Sequence, residues 1–281
     1  MYIPQMFVIL KAMFDFIIHR LLRFPYRLHT FSSRRVKRPV ATIVFLHGIG
    51  NSQDSWRDVY KKLPHNVEVI GLDLLGFGKS AKPTWVTYNA KTQAKAVLAT
   101  LLRYGIKRRV IIVGHSMGAI VAVEVARRAP FLVSSLILCS PPFYTASETK
   151  KRLFPSTDTI LRDMYRTIQK QPDAFIQLAQ VAKKAGVLNI SANISTETIS
   201  TYFSALEASI INQTSLDDLQ RLRMPITILY GAFDGLVVSA NLRSLAKAND
   251  AITARSVLAG HEITGLFVGA VVKQINKEIQ N

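Results

Sequence analysis

The chain of 281 residues carries a single cysteine, Cys139, which excludes an internal disulfide framework. Cys139 closes the apolar run Leu136–Cys139, so it is expected to be a buried structural thiol. No Cys/His spacing suits a metal, and no GxxxxGK[ST] loop is there to cradle a nucleotide phosphate. Neither a metal nor a cofactor is therefore expected. Acidic residues are scarce, with 18 Asp and Glu against 36 Lys and Arg and a formal net charge of +18. A surface this basic attracts anions. Nothing in the pattern matches a nucleic-acid module, so no nucleic acid is expected; the readings left are anionic lipid headgroups or no specific partner. Long apolar runs are missing too. Those in residues 1–40 are interrupted by Lys11 and Asp15. They are too short to span a bilayer, and the positive charge falls within and after the run, where a secretory signal would have it before.

What residues 1–39 do have is a basic, mostly apolar segment. Eight Lys or Arg stand in residues 1–40 (Lys11, Arg20, Arg23, Arg27, Arg34, Arg35, Lys37 and Arg38) against the single acid Asp15. Lys11, Asp15, His19 and Arg23 are spaced by four, and on a helix they form one polar ridge. Three readings compete. The helix lies in an anionic membrane interface, it packs on the rest of the protein or on a second subunit, or, against the run length and charge placement above, it is a transmembrane span or signal peptide. The location expected is cytoplasmic, with peripheral membrane association through residues 1–40 under the first reading.

From residue 40 the pattern alternates. Ala41–Leu46, Val67–Leu72, Val110–Val113, Val133–Cys139, Ile226–Tyr230 and Thr253–Leu258 are expected strands, short and rich in β-branched residues, and all but the last are mainly apolar with no polar alternation. Strands buried on both faces of a parallel sheet read this way. Helical stretches are expected near Ser55–Lys62, Asn89–Tyr104, Met117–Ala129, Ala240–Ala248 and Glu262–Gln280. Such βα alternation implies an α/β protein with a doubly wound, mostly parallel sheet. Between Ser140 and Met224 the rhythm stops, and three helical stretches are expected: Thr157–Lys170, Asp173–Lys184, and one capped by Ser195 or Thr196 that reaches Ile211.

Chemistry-bearing residues sit just past these strands. Gly114-His115-Ser116-Met117-Gly118 follows Val110–Val113 and precedes a helix, the setting of a serine exposed on a sharp strand-to-helix turn. His47-Gly48-Ile49-Gly50 follows the first strand, and the backbone amides of Ile49 and Met117 are the candidate oxyanion donors. Asp234 follows Ile226–Tyr230, and His261 follows Thr253–Leu258. Asp250, a rival acid, precedes the last strand instead of following one. His47 and His115 flank the serine and are read as shaping turns. Asp73 is read as holding its own loop together.

These motifs, with Asp73-Leu74-Leu75-Gly76-Phe77-Gly78-Lys79-Ser80, make residues from about 40 to 279 resemble the α/β-hydrolase superfamily. The resemblance implies a catalytic triad of Ser116, Asp234 and His261. It implies a core of residues 40–140 and 225–281, and an all-helical cap of residues 141–224 over the serine. Members that cleave epoxides or carbon–halogen bonds place an aspartate where this chain has Ser116, which argues against both reactions. Members also place an antiparallel hairpin ahead of the first parallel strand. Here Phe24–Val40 has weak strand signals, so those strands are expected to be shortened, rearranged or missing.

The leading functional expectation is a serine hydrolase acting on a small-molecule lipophilic ester, with His47, Gly48, His115, Phe143, Tyr144, Leu236 and Val237 around the substrate pocket. A second reading keeps the same residues for carbon–carbon bond hydrolysis, acyl transfer or cofactor-free perhydrolysis. A third is a non-catalytic ligand-binding protein on the same fold.

Overall fold

An apolar strand with no polar alternation needs apolar cover on both of its faces, and the computed structural model supplies it. The structure describes residues 10, 13–34, 36–106, 109–145, 177, 201–202, 204–211 and 213–280. Seven strands form one sheet: β1 (Thr30–Arg34), β2 (Thr42–Leu46), β3 (Glu68–Leu72), β4 (Val110–His115), β5 (Val133–Cys139), β6 (Ile226–Gly231) and β7 (Ile252–Val257). Their order is β1-β3-β2-β4-β5-β6-β7, and all neighbours are parallel except the β1–β3 pair.

Side chains alternate between two cores. Val44, Leu46, Val110, Ile112, Leu136 and Leu138 join the cluster on one face. Their sequence neighbours Ile43, Phe45, Ile111, Val113, Ile137 and Cys139 join the cluster on the other. The first face is covered by α2 (Ala90–Arg103), α3 (Met117–Arg128) and α5 (Ser239–Ala248), with α4 (Ser215–Arg221) packed on α3; the second by α1 (Arg57–Tyr60) and α6 (Leu266–Gln280). Cys139 is fully buried, and burial pushes its thiol pKa up, so it is a structural thiol as expected.

The expected strands agree with the observed ones to within a residue or two at each end. Two differences have local causes. Glu262–Gln280 was expected to be one helix, but residues 261–264 form the loop after β7. Gly265 then takes a positive φ of 51°, and α6 starts only at Leu266. At the N-terminal edge one antiparallel strand is found. β1 pairs with β3 in register Thr30↔Leu72, Phe31↔Gly71 and Ser32↔Ile70, then slips before Arg34. The helical stretches expected at Thr157–Lys170 and Asp173–Lys184 lie outside the described residues, apart from Gln177, which is helical.

Candidate active site

The parallel register brings the C-terminal ends of β2, β4, β6 and β7 to one edge of the sheet, where loop groups can converge. Ser116 is the single residue between β4 and α3. Its φ of 51° and ψ of −119° fall outside the regions that L-residues favour. Two backbone hydrogen bonds hold it there. Its N–H donates to Cys139 O at 2.9 Å, and its carbonyl accepts from the Ala119 N–H at 2.9 Å. Both flanking glycines are needed for close approach. A Cβ on Gly114 would stand 2.5 Å from Gly118 O, and one on Gly118 would stand 2.6 Å from His47 O.

Asp234 and His261 come from the loops after β6 and β7. These loops touch: the Ala232 N–H donates to Val257 O at 2.7 Å and the Phe233 N–H to Ala259 O at 3.1 Å. A Cβ on Gly231 would collide with the backbone of Ala259 and Gly260, which accounts for the glycine. His261 Nδ1 lies 2.8 Å from Asp234 Oδ2, and Asp234 Oδ1 accepts from the Leu236 N–H at 2.9 Å. The Asp234 side chain is fully buried, while that of His261 is 19% exposed. Burial works to raise the Asp234 pKa. The hydrogen bond and the charge of His261, joined by the Leu236 N–H, outweigh it and hold the carboxyl below its usual range. Asp250, the rival acid, is exposed at the start of β7, away from His261.

His47 is fully buried, and both of its ring nitrogens are engaged. The Leu74 N–H donates to Nε2 at 2.9 Å, so the ring proton sits on Nδ1, which donates to Gly48 O at 2.7 Å. His47 therefore shapes the loop that presents Ile49, and burial lowers its pKa, the Gly48 and Asp73 contributions opposing. Asp73 accepts from the amides of Gln53 and Lys79, both at 2.8 Å, and so ties the loops after β2 and β3 together. Gly48 lies against the serine: a Cβ there would stand 3.3 Å from Ser116 Cβ. Among the described residues, the amides of Ile49 and Met117 donate to no acceptor, which leaves both available to an incoming oxyanion.

The residues expected around a pocket divide. Phe143, Tyr144 and Val237 are buried, and Leu236 is exposed. The Tyr144 hydroxyl donates to Leu236 O, and Asn241 Nδ2 donates to Phe143 O at 3.0 Å, so the segments after β5 and β6 are stapled together. A groove of about 400 Å³ lies elsewhere, lined by Lys91, Glu124, Arg127, Ser209 and Asp218 among others. The described end of the third helical stretch packs on the segment ahead of α2. The Ser209 hydroxyl donates to Tyr88 O at 2.6 Å. Burial raises the Tyr202 pKa and the nearby Glu262 carboxylate adds to the rise. The Glu262 pKa is itself raised, mainly by burial.

One contact beside His261 has no signal in the sequence. His115 Nε2 lies 3.0 Å from the main-chain oxygen of His261, across 146 residues of chain. The two rings meet at 5.0 Å between centroids.

A family model described as alpha/beta hydrolase fold matches residues 41–264. An uncharacterized protein of Mycobacterium tuberculosis is 42% identical over 98 residues, which are 35% of this chain and 28% of that one. The "probable lysophospholipase BODYGUARD 5" of Arabidopsis thaliana is 30% identical over 135 residues, covering 42% of this chain and 30% of the relative. The chain thus spans less than a third of the length of these curated relatives. Among solved structures, a hydrolase from Oleispira antarctica superposes with a TM-score of 0.71 at 19% identity, covering 91% of this chain and 96% of that one. An enol-lactonase from Burkholderia xenovorans gives 0.67 at 19% identity, covering 90% and 96%. At such identity these structures speak for the fold.

Proposed function

The chain belongs to the α/β-hydrolase family, and on that premise we propose that it is a serine hydrolase cleaving a lipophilic carboxylic ester. The observation that carries the reading is the placement, at one sheet edge, of a strained Ser116 and of an Asp234–His261 pair 2.8 Å apart. A serine hydroxyl is a poor nucleophile near neutral pH and needs a base held by an acid. In this reading His261 Nε2 takes the Ser116 proton as Oγ attacks the ester carbonyl. Asp234 keeps the proton of His261 on Nδ1 and stabilises the imidazolium. The Ile49 and Met117 amides receive the oxyanion, each worth about 3–4 kcal/mol of barrier. The alcohol leaves with the proton from His261, and water then resolves the acyl-enzyme by the same route.

The lipophilic part of the proposal rests on the buried Phe143, Tyr144 and Val237 in the loops beside the site. A relative named as a probable lysophospholipase supports the same substrate class. Residues 141–224 are proposed as a helical cap that roofs the serine, in keeping with Thr201 lying against Gly76 and with Glu262, the neighbour of His261, acting on Tyr202. A series of chromogenic esters from acetyl to palmitoyl tests the reading. Turnover is expected, with an optimum at a medium or long acyl chain. A folded protein that turns over none of them would contradict it.

The proposal includes a membrane partner for residues 1–40. Among the described residues, no helix is long and apolar enough to cross a membrane. The helical turn Phe16–Leu21 buries none of its residues. Met13, Phe14, Phe16, Ile17, Leu21 and Leu22 are 40–64% exposed, while His19 of the polar ridge stacks on Tyr26 at 3.7 Å. The apolar side chains thus face outward among basic residues, which favours the interfacial reading over packing on the protein. Burying an exposed Phe or Leu in a bilayer contributes about 1.5–3 kcal/mol. The double variant Phe14→Glu/Leu21→Glu is therefore expected to lose at least tenfold in sedimentation with phosphatidylserine vesicles. Unchanged sedimentation would sink the membrane proposal.

A further inference from the structure

We propose that His115 is a positioning residue for His261, one that locks the loop carrying the base to the turn carrying the nucleophile; the inference rests on the serine-hydrolase reading above. His115 is the last residue of β4 and the immediate neighbour of Ser116, so its backbone moves with the serine. Its side chain crosses to the loop after β7, where Nε2 sits 3.0 Å from His261 O. A carbonyl oxygen only accepts, so the ring proton is on Nε2 and His115 is the donor.

Three neighbours keep the ring in place. Trp56 packs edge-on at 6.3 Å and 90°. The His261 ring lies tilted against it at 5.0 Å. Gly48 closes the third side, and a Cβ there would come within 2.9 Å of Nδ1. That glycine belongs to the loop of Ile49, so one imidazole touches all three parts of the site: the oxyanion loop, the nucleophile turn and the base. His115 is itself only 2% exposed. Burial first, and then the neighbouring His261, lowers its pKa to about 3. The ring therefore stays neutral across the working range of an esterase, with Nε2–H as a fixed donor. It takes no part in proton transfer.

What this link fixes is distance. His261 has two orienting contacts of different kinds. Asp234 holds the imidazole through Nδ1, and His115 holds the main chain of the same residue. A base that drifts by about 1 Å from its nucleophile loses on the order of 100-fold in rate. The contact from His115 restrains that drift because its donor lies one residue from the serine.

The test uses the full chain and a matched pair of variants. His115→Gln keeps an amide N–H donor, and His115→Met has similar length without one. Labelling of Ser116 by an activated phosphonate and the kcat and KM for a chromogenic ester are measured, with thermal melting as a check of folding. His115→Met is expected to lower the labelling rate and kcat by about 10- to 100-fold with KM within twofold, and His115→Gln to recover part of the loss. A folded His115→Met with the wild-type labelling rate overturns the inference, as does an equal loss in both variants. Should His115→Met fail to fold, nitrogen-15 NMR of the unmodified protein decides the point. The account expects the His115 proton on Nε2 at neutral pH, and a proton on Nδ1 overturns it. An unmodified protein that fails to react with the phosphonate at all strikes the serine-hydrolase reading itself, which separates the two failures.

Discussion

Replacement of Ser116 by alanine is expected to lower ester turnover by about 10⁴- to 10⁶-fold while leaving the fold in place. The size follows from the division of labour proposed for the site. Members of a nucleophile–base–acid set act as one unit, so loss of the nucleophile removes nearly all that the set supplies; what survives comes from the oxyanion amides and binding. The fold is expected to tolerate the change, because nothing in the turn depends on the hydroxyl. Ser116 is held by its own N–H and carbonyl, bonded to Cys139 O and to the Ala119 N–H, and alanine keeps both. Alanine at a φ of 51° is strained as serine is, so the melting temperature should move by no more than a few degrees. Steady-state kinetics on one chromogenic ester and a melting curve measure both parts. Retention of more than a few per cent of wild-type turnover would place the chemistry elsewhere.

The second large effect is expected at Asp234. Asp234→Asn should reduce kcat by about 10³- to 10⁴-fold, with little change in shape. The reason lies in the two acceptors of the carboxylate. Oδ2 faces His261 Nδ1 at 2.8 Å and Oδ1 accepts the Leu236 N–H at 2.9 Å. Asparagine offers only one oxygen. If that oxygen serves Leu236, the amide N–H₂ faces Nδ1 and drives the imidazole proton to Nε2, where the lone pair for Ser116 is needed. If it serves His261, the Leu236 N–H meets another donor inside a buried site. The pH dependence has a defined sign. The carboxyl of Asp234 is held below its usual range in the folded protein. Its contribution to stability is therefore present above the unfolded value of about 3.9 and is lost as pH falls through the lower folded value. The melting temperatures of wild type and Asp234→Asn should differ at pH 7 and begin to converge only as pH falls below about 4. Equal melting temperatures at pH 7, or kcat within tenfold of wild type, would remove Asp234 from its proposed role.

Much of this was legible in the sequence, for a physical reason. Strands covered on both faces need mostly apolar residues, so β2, β4, β5 and β6 stand out as short apolar runs. Close backbone approach admits only glycine, which is why Gly114, Gly118 and Gly231 punctuate the right places. Other features rest on forces that leave no local pattern. β1 (Thr30–Arg34) is an edge strand held by backbone pairing to β3, and its sequence Thr-Phe-Ser-Ser-Arg carries little apolar signal. α4 (Ser215–Arg221), at seven residues, is too short for a helical period to register. The sequence pattern starts α6 too early because an apolar period runs on through Ile263, while the φ of 51° at Gly265 is a property of the fold. The contact from His115 to His261 was out of reach, since no pattern in a single sequence links residues 146 apart.

Everything proposed for the site depends on Ser116 being a nucleophile that the fold makes reactive. The most direct test treats the protein with an activated phosphonate and maps the adduct by peptide mass. One adduct is expected, on Ser116, formed by the native protein, absent after heat denaturation and slowed at least 100-fold in His261→Ala. No adduct on the native protein, or one on a different residue, would contradict it.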